Sequence, residues 1–384
     1  MERDKLLMTP GPTMIPPRVL QAMSRQIIHH RTKEFQAIFT EFNAKLKTVF
    51  NTKNDVLTFA SSGTGAMEAS VANLFSPGDK VLVGTIGVFG DRYVKIAKEY
   101  GLDVEVLSMP WGQALNPEDI KKRLDDDVNN EIKAVLVTHN ETSTGVTNDL
   151  EAIANVMRGR PQLLIVDAIS SLGGIPLKTD EWGIDVVVTG SQKALMAPPG
   201  LSFACLSDRA WEAVKQSKFP KFYFDFLAYK DKLSDNDTPY TPAVTLIIGT
   251  NVALDMILED GLEKVYARNH RLAEAARAAA KAMGLELFAE PLHASDIITS
   301  IKGPEGVDVE KVRKIMNTKY DIMITGGQGK LKGQILRIGH VGYVDQFDLL
   351  KTLTGLEYAL AEVGYPVKLG SGVTAAEEIL KEGV

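Results

Sequence analysis

Pro161-Gln-Leu-Leu-Ile-Val-Asp167-Ala-Ile-Ser-Ser-Leu-Gly-Gly174 and, one turn later, Ile184-Asp-Val-Val-Val-Thr-Gly-Ser-Gln-Lys193 decide how this chain is organised. Each half is an apolar, largely β-branched run that stops at a polar residue. Parallel strands buried on both faces read this way, with the polar residue at the ligand edge of the sheet. The pattern recurs at Val56–Ala60, Lys80–Gly84, Val104–Ser108, Ala134–Thr138 and Leu201–Leu206. Amphipathic stretches such as Asp91–Tyr100 and Pro117–Leu124 lie between many of these runs. Such alternation specifies an α/β fold with helices on both faces of one sheet.

The chain has 384 residues, more than one small core accommodates, so about two domains are expected. Its 43 basic and 49 acidic residues leave a formal charge of −6, which gives no basic surface for nucleic acid or membrane. The single cysteine, Cys205, sits in an apolar run. It reads as a small buried hydrophobe, and one thiol allows no disulfide within the chain. A reducing, cytoplasmic compartment follows as the expectation, and the first residues show no signal peptide. Polar residues interrupt the most apolar stretch, Ala243 to Leu258, which reads as a buried helix and not a membrane span.

Phe219–Pro242, aromatic and polar without a period, reads as a loop. A long helix is expected from about Val244 to Met283, broken near Asp260-Gly261. Leu285–Val384 reads as a smaller α+β domain. The expected division is an N-terminal segment, 1–18, a large domain, 19–258, and a small domain, 259–384.

The residues that carry chemistry lie at strand ends. Asp167 and Lys193 close neighbouring runs and can meet over one planar ring. Pyridoxal phosphate enzymes need that pairing: the amine forms a Schiff base with the cofactor aldehyde, and the carboxylate keeps the ring nitrogen protonated. A strand-terminal Asp also serves as a cap, and a Lys beside polar residues is often solvated. Ser62-Gly63-Thr64-Gly65 follows a strand and opens a helix, a turn suited to an anion or to an ordinary cap. Phe89 lies between glycines in Gly84-Thr-Ile-Gly-Val-Phe89-Gly-Asp-Arg92, placed either to cover a ring or simply to pack. Thr138-His-Asn-Glu-Thr-Ser-Thr-Gly145 offers hydroxyls, or a Ser/Thr turn. His139 and Glu141 suggest acid–base or metal chemistry, but no second His stands at ligand spacing, so no metal site is expected. In open α/β sheets ligands bind at the carboxyl ends of strands, and these loops fall there.

Taken together, these motifs resemble the class V aminotransferases of fold type I, close to the serine–pyruvate and alanine–glyoxylate enzymes. The resemblance runs from Thr9-Pro-Gly-Pro-Thr13 to Leu336-Arg337-Ile-Gly-His-Val-Gly342. It implies a large domain on a mainly parallel seven-stranded sheet, a smaller C-terminal α+β domain, and pyridoxal 5'-phosphate as cofactor. By resemblance Lys193 is the Schiff-base lysine and Asp167 pairs with the ring nitrogen. Gln192 and Ser62, Gly63 and Thr64 match phosphate-binding positions, and Thr142 matches a hydroxyl near the ring. Phe89 stands where close relatives stack a Trp. Tyr240 and Thr241 match a segment that reaches the neighbouring subunit's phosphate in a homodimer. Gly11 walls the substrate pocket and Arg337 clamps the substrate α-carboxylate. An arginine in so apolar a strand otherwise calls for an internal acidic partner.

The expected reaction is ping-pong transfer of an amino group from serine or alanine to glyoxylate or pyruvate. No second basic residue for a side-chain carboxylate is evident, which favours small donors. Phosphonate or phosphoserine transamination is the nearest alternative; a non-enzymatic subunit on the same fold, partnered with a redox complex, is another. Cysteine desulfuration is disfavoured, because Gln192 replaces the usual His before the lysine and Cys205 lies in a core-like run.

Overall fold

The computed structural model describes residues 4–381. Seven strands form the main sheet: β1 Val56–Phe59, β2 Lys80–Thr85, β3 Asp103–Ser108, β4 Ile132–Thr138, β5 Leu163–Asp167, β6 Val186–Gly190 and β7 Ser202–Leu206. Their spatial order is β1-β7-β6-β5-β4-β2-β3. Only β7 runs antiparallel to its neighbours. The sequence placed all seven, with ends differing by at most two residues. The apolar runs are legible because central strands such as β5 and β6 are buried along their whole length.

Helices cover both faces, giving two apolar layers around the sheet. One is built on Phe35, Phe39, Phe42 and Phe203; the other on Phe59, Met67, Tyr93 and Trp211. Two helices matter for the site. α1, Gly63–Leu74, starts three residues earlier than Ala66, where its apolar pattern begins. α2, Val88–Glu99, takes in Phe89, which the flanking glycines had suggested to be in a loop.

The segment Phe219–Pro242 is not wholly a loop, because it contains α3, Phe226–Leu233. The Asp225 side chain caps it by accepting from Leu227 N, and Phe226 and Tyr229 pack on Phe59. So short a helix among charged residues leaves no readable period. The expected long helix is present as α4, Val244–Asp260, and α5, Leu262–Ala282. They are separated at Gly261, whose φ of 85° suits glycine.

The C-terminal part has its own apolar cluster, built from Leu272, Ile301, Met316, Ile338 and Leu353. It holds a three-stranded antiparallel sheet in which Ile335–Gly339 is central. Leu6–Leu7 pairs with Ile322–Met323 here, and the chain then crosses towards the main sheet. Thr13 N donates to Gln192 O at 3.2 Å, and Thr13 Oγ1 donates to Lys193 O at 3.0 Å. No helix among the described residues is long and apolar enough to cross a membrane.

Candidate active site

At the carboxyl ends of β1, β4, β5 and β6 lies a cavity of about 110 Å³. Ser62, Gly63, Thr64, Phe89, Thr142, Asp167, Gln192 and Lys193 line it, so eight sequence-predicted residues converge there. Four further residues line it that the sequence reading did not single out: Arg92, Asn140, Ile169 and Ser170.

The Ser62 side of the cavity presents free donors. Gly65 N donates to Ser62 O at 2.8 Å, which leaves the Gly63 and Thr64 amides of the first turn of α1 without a helical acceptor, and the Ser62 hydroxyl makes no capping bond. Gln192 Oε1 is buried without a hydrogen-bond partner. Arg92 Nη1 donates to Thr64 Oγ1 at 3.0 Å, and its guanidinium lies 4.8 Å from the centre of the Phe89 ring. Arg92 thus adds a basic group to this end of the cavity that the sequence reading did not assign. Its signal was its place three residues after Phe89, which in a helix puts both on one face.

Asp167 is buried, and Ile169 N donates to its Oδ1 at 2.9 Å. Burial chiefly pushes its carboxyl up to about 7. The Ile169 hydrogen bond opposes that shift, Glu141 adds to it, and Arg92 and Lys193 oppose it. The Lys193 amine is pulled down to about 8, first by burial and then by the charge of Arg337, against the pull of Asp167. An amine near 8 holds an appreciable unprotonated fraction at neutral pH, as a nucleophile or proton acceptor needs.

Gly11 stands directly against this lysine. A Cβ added at Gly11 would sit 2.7 Å from Lys193 Nζ and closer still to its stem, and Gly11 has a φ of 135°. The backbone therefore forms one wall of the lysine's channel, and no larger residue fits there.

Arg337 is buried in the central strand of the C-terminal sheet. Its Nε donates to Gly326 O at 2.8 Å and its Nη1 to Thr142 O at 2.7 Å. Among the described residues no carboxylate lies within ion-pair distance of it, so the internal acidic partner is not what holds it. Burial pulls its guanidinium down to about 10, and the Glu141 charge opposes that. Two donors on carbonyls leave the rest of the fork for an external anion.

Tyr240 and Thr241 are not brought to this cavity within one chain. Tyr240 stacks on Tyr223 with ring centres 5.4 Å apart, and its hydroxyl donates to Phe222 O at 2.9 Å. His139 is buried with its Nδ1 unpartnered, and burial pulls it down to about 4. No group of three or more His, Cys, Asp or Glu side chains among the described residues is placed to hold a metal. Burial raises the Cys205 thiol to about 12, leaving it unreactive.

The family description "Aminotransferase class-V" matches residues 5–338. The chain belongs to the class V aminotransferases. It is a pyridoxal phosphate-dependent transaminase, and the family implies that cofactor for the pocket. Among curated relatives, a serine–glyoxylate aminotransferase from Methylorubrum extorquens is 40% identical, covering 98% of this chain and 96% of its own. A protein named soluble hydrogenase, small subunit, from Synechococcus is 47% identical over 99% of both chains. The solved ureidoglycine–glyoxylate aminotransferase from Bacillus subtilis superposes with a TM-score of 0.95. It is 32% identical and covers 99% of each chain.

Proposed function

We propose that this transaminase moves an amino group from a small amino acid, serine or alanine, to glyoxylate or pyruvate. The observation that carries the reading is the convergence of Lys193 and Asp167 with a free anion cradle and a carboxylate-free Arg337. The names of glyoxylate-using relatives support the acceptor. Turnover with a panel of amino donors against glyoxylate and pyruvate tests it; no turnover with either acceptor would overturn it.

The residues fit pyridoxal 5'-phosphate. The unpaired Gly63 and Thr64 amides at the start of α1 and the Arg92 fork suit a phosphate at one end of the cavity. Ser62, Gly63 and Thr64 would hold it there, Phe89 would face the ring, and the Thr142 hydroxyl would meet its edge. Bound there, the cofactor supplies an aldehyde for Lys193 and an aromatic ring that withdraws electrons from the substrate Cα. Lys193 takes the Cα proton and returns it, as base and then acid. Asp167 keeps a proton on the ring nitrogen. Arg337 and the Gly11 wall orient the substrate carboxylate.

Lysine at position 337 keeps the charge but loses the fork. Arg337→Lys is expected to raise KM for donor and acceptor alike, since both carry the carboxylate. Losing part of a charge-assisted pair costs about 1.5–3 kcal/mol, or roughly ten- to a hundredfold in kcat/KM. Cofactor affinity should stay near wild type. Reduced cofactor affinity with unchanged KM would make Arg337 structural.

The working unit we propose is a homodimer in a reducing, cytoplasmic setting. Phe222 is 78% exposed beside Tyr223 and Leu227, in the segment that carries Tyr240 and Thr241. A two-fold contact would cover these side chains and bring Tyr240 and Thr241 to the partner's phosphate. Light scattering at low micromolar concentration should give a dimer; an active monomer would refute it. A non-enzymatic role gains no support from the site, which keeps an intact Asp167–Lys193 pair.

A further inference from the structure

One buried carboxylate has no part in the chemistry above. Glu141 is fully buried, and three backbone amides and one hydroxyl surround it. Oε2 accepts from Phe89 N at 3.0 Å and from Gly90 N at 3.1 Å. Oε1 accepts from Ser143 N at 3.1 Å and from Ser143 Oγ at 2.5 Å. Val88 N donates in turn to Ser143 Oγ at 3.0 Å. Three of the four donors are backbone amides, which can only donate, so they favour the carboxylate, while the Ser143 hydroxyl can also accept. Burial opposes this and raises the group above the usual range. No cation lies within ion-pair distance of Glu141 among the described residues.

The three segments that Glu141 joins all carry site residues. Phe89 and Gly90 begin α2, which presents Phe89 and Arg92 to the cavity. Ser143 follows Thr142, whose carbonyl holds Arg337. Gly87 makes the approach possible, since a Cβ there would lie 2.5 Å from Glu141 Cδ. The Glu141 carboxyl group thus pins the start of α2 on one side and the turn under Arg337 on the other.

We propose that Glu141 is a positioning residue that ties the wall of the cofactor ring to the clamp of the substrate carboxylate. The step rests on the reading of Phe89 and Arg337 given under Proposed function. It makes the two binding functions share one support. Loosening that support weakens cofactor and substrate binding together, although Glu141 touches neither.

Glu141→Gln tests this at constant shape. The amide NH2 must face a backbone N–H whichever way it turns, because three of the four donors are fixed amides. In cofactor-free protein, hydrogen exchange at Phe89, Gly90 and Ser143 should accelerate at least about tenfold. That is the loss expected when one hydrogen bond to a charged group, worth about 1.5 kcal/mol or more, is removed. Exchange along β4 should not change. The dissociation constant for pyridoxal phosphate should rise about tenfold, and KM for donor and glyoxylate should rise together with a smaller loss in kcat. Ser143→Ala should act in the same direction more weakly, and it carries the test if the Gln variant does not fold. Unchanged exchange at the three amides overturns the proposal, as does faster exchange with unaltered cofactor affinity and KM. If wild-type protein binds no pyridoxal phosphate, the functional reading fails, and the proposal fails with it whatever the exchange data show.

Discussion

Lys193→Ala is expected to abolish transamination and to leave the fold intact. The amine lies in the cavity, and removing a group that both accepts and returns a proton costs about 10²–10⁴-fold from acid–base catalysis alone. Losing the covalent link to the cofactor adds to that. The fold should survive because the Lys193 side chain makes no hydrogen bond or ion pair among the described residues; its backbone carbonyl is held by Thr13 and by Met196 N. The sign of the pH effect follows from the amine's position. Its folded value, about 8, lies below the ordinary lysine value, so its charged form is penalised in the folded protein. Stability is therefore fullest above the unfolded value and falls as pH drops towards 8. In cofactor-free protein at neutral pH the variant escapes this penalty, against the loss of the buried stem. Its Tm should lie within about 2 °C of wild type, a shift worth one or two kcal/mol in a chain of this size. Turnover and circular dichroism on the same preparation check both halves. Wild-type-like turnover would remove Lys193 from the chemistry.

The scaffold was legible because it obeys simple periodicities. β4, β5 and β6 are apolar runs; Asp167 ends β5 in the cavity, and Asn140 and Lys193 reach it from just beyond β4 and β6. What escaped was set by phase or by distant contact. Arg92 became readable only once α2 was known to start at Val88, which turns a loop arginine into the neighbour of Phe89 on one helical face. Glu141 looked like a candidate acid–base group or metal ligand. Its role depends on amides some fifty positions away, which no local pattern encodes. Gly11 had a family resemblance but no physical reason until its backbone was found against the Lys193 stem. α3 was hidden because burial of Phe226 and Tyr229 on Phe59, not propensity, holds it.

Asp167→Asn is expected to weaken the cofactor site severely while stabilising the protein that lacks cofactor. Asn is nearly isosteric, and its carbonyl can still accept from Ile169 N. It cannot supply the negative charge that favours a protonated ring nitrogen. A hydrogen bond to a charged partner is worth about 1.5–3 kcal/mol, so the dissociation constant for pyridoxal phosphate should rise roughly ten- to a hundredfold. Turnover should fall further, because the ring's capacity to withdraw electrons depends on that proton. In cofactor-free protein the effect reverses. Burial holds the Asp167 carboxyl at about 7, well above its ordinary value, so its ionised form is penalised in the folded chain. A raised folded value means stability that is fully present below the unfolded value, near pH 4, and lost as pH rises through 7. The Asn variant has no such titration. Thermal melts of cofactor-free wild type and variant should therefore diverge between pH 5 and 8, with the variant the more stable at the upper end. The same burial that costs stability without the cofactor excludes water from the contact with the ring nitrogen when it is bound. Cofactor affinity within about twofold of wild type, alongside superimposable melts across that range, would show that Asp167 faces no charged ring.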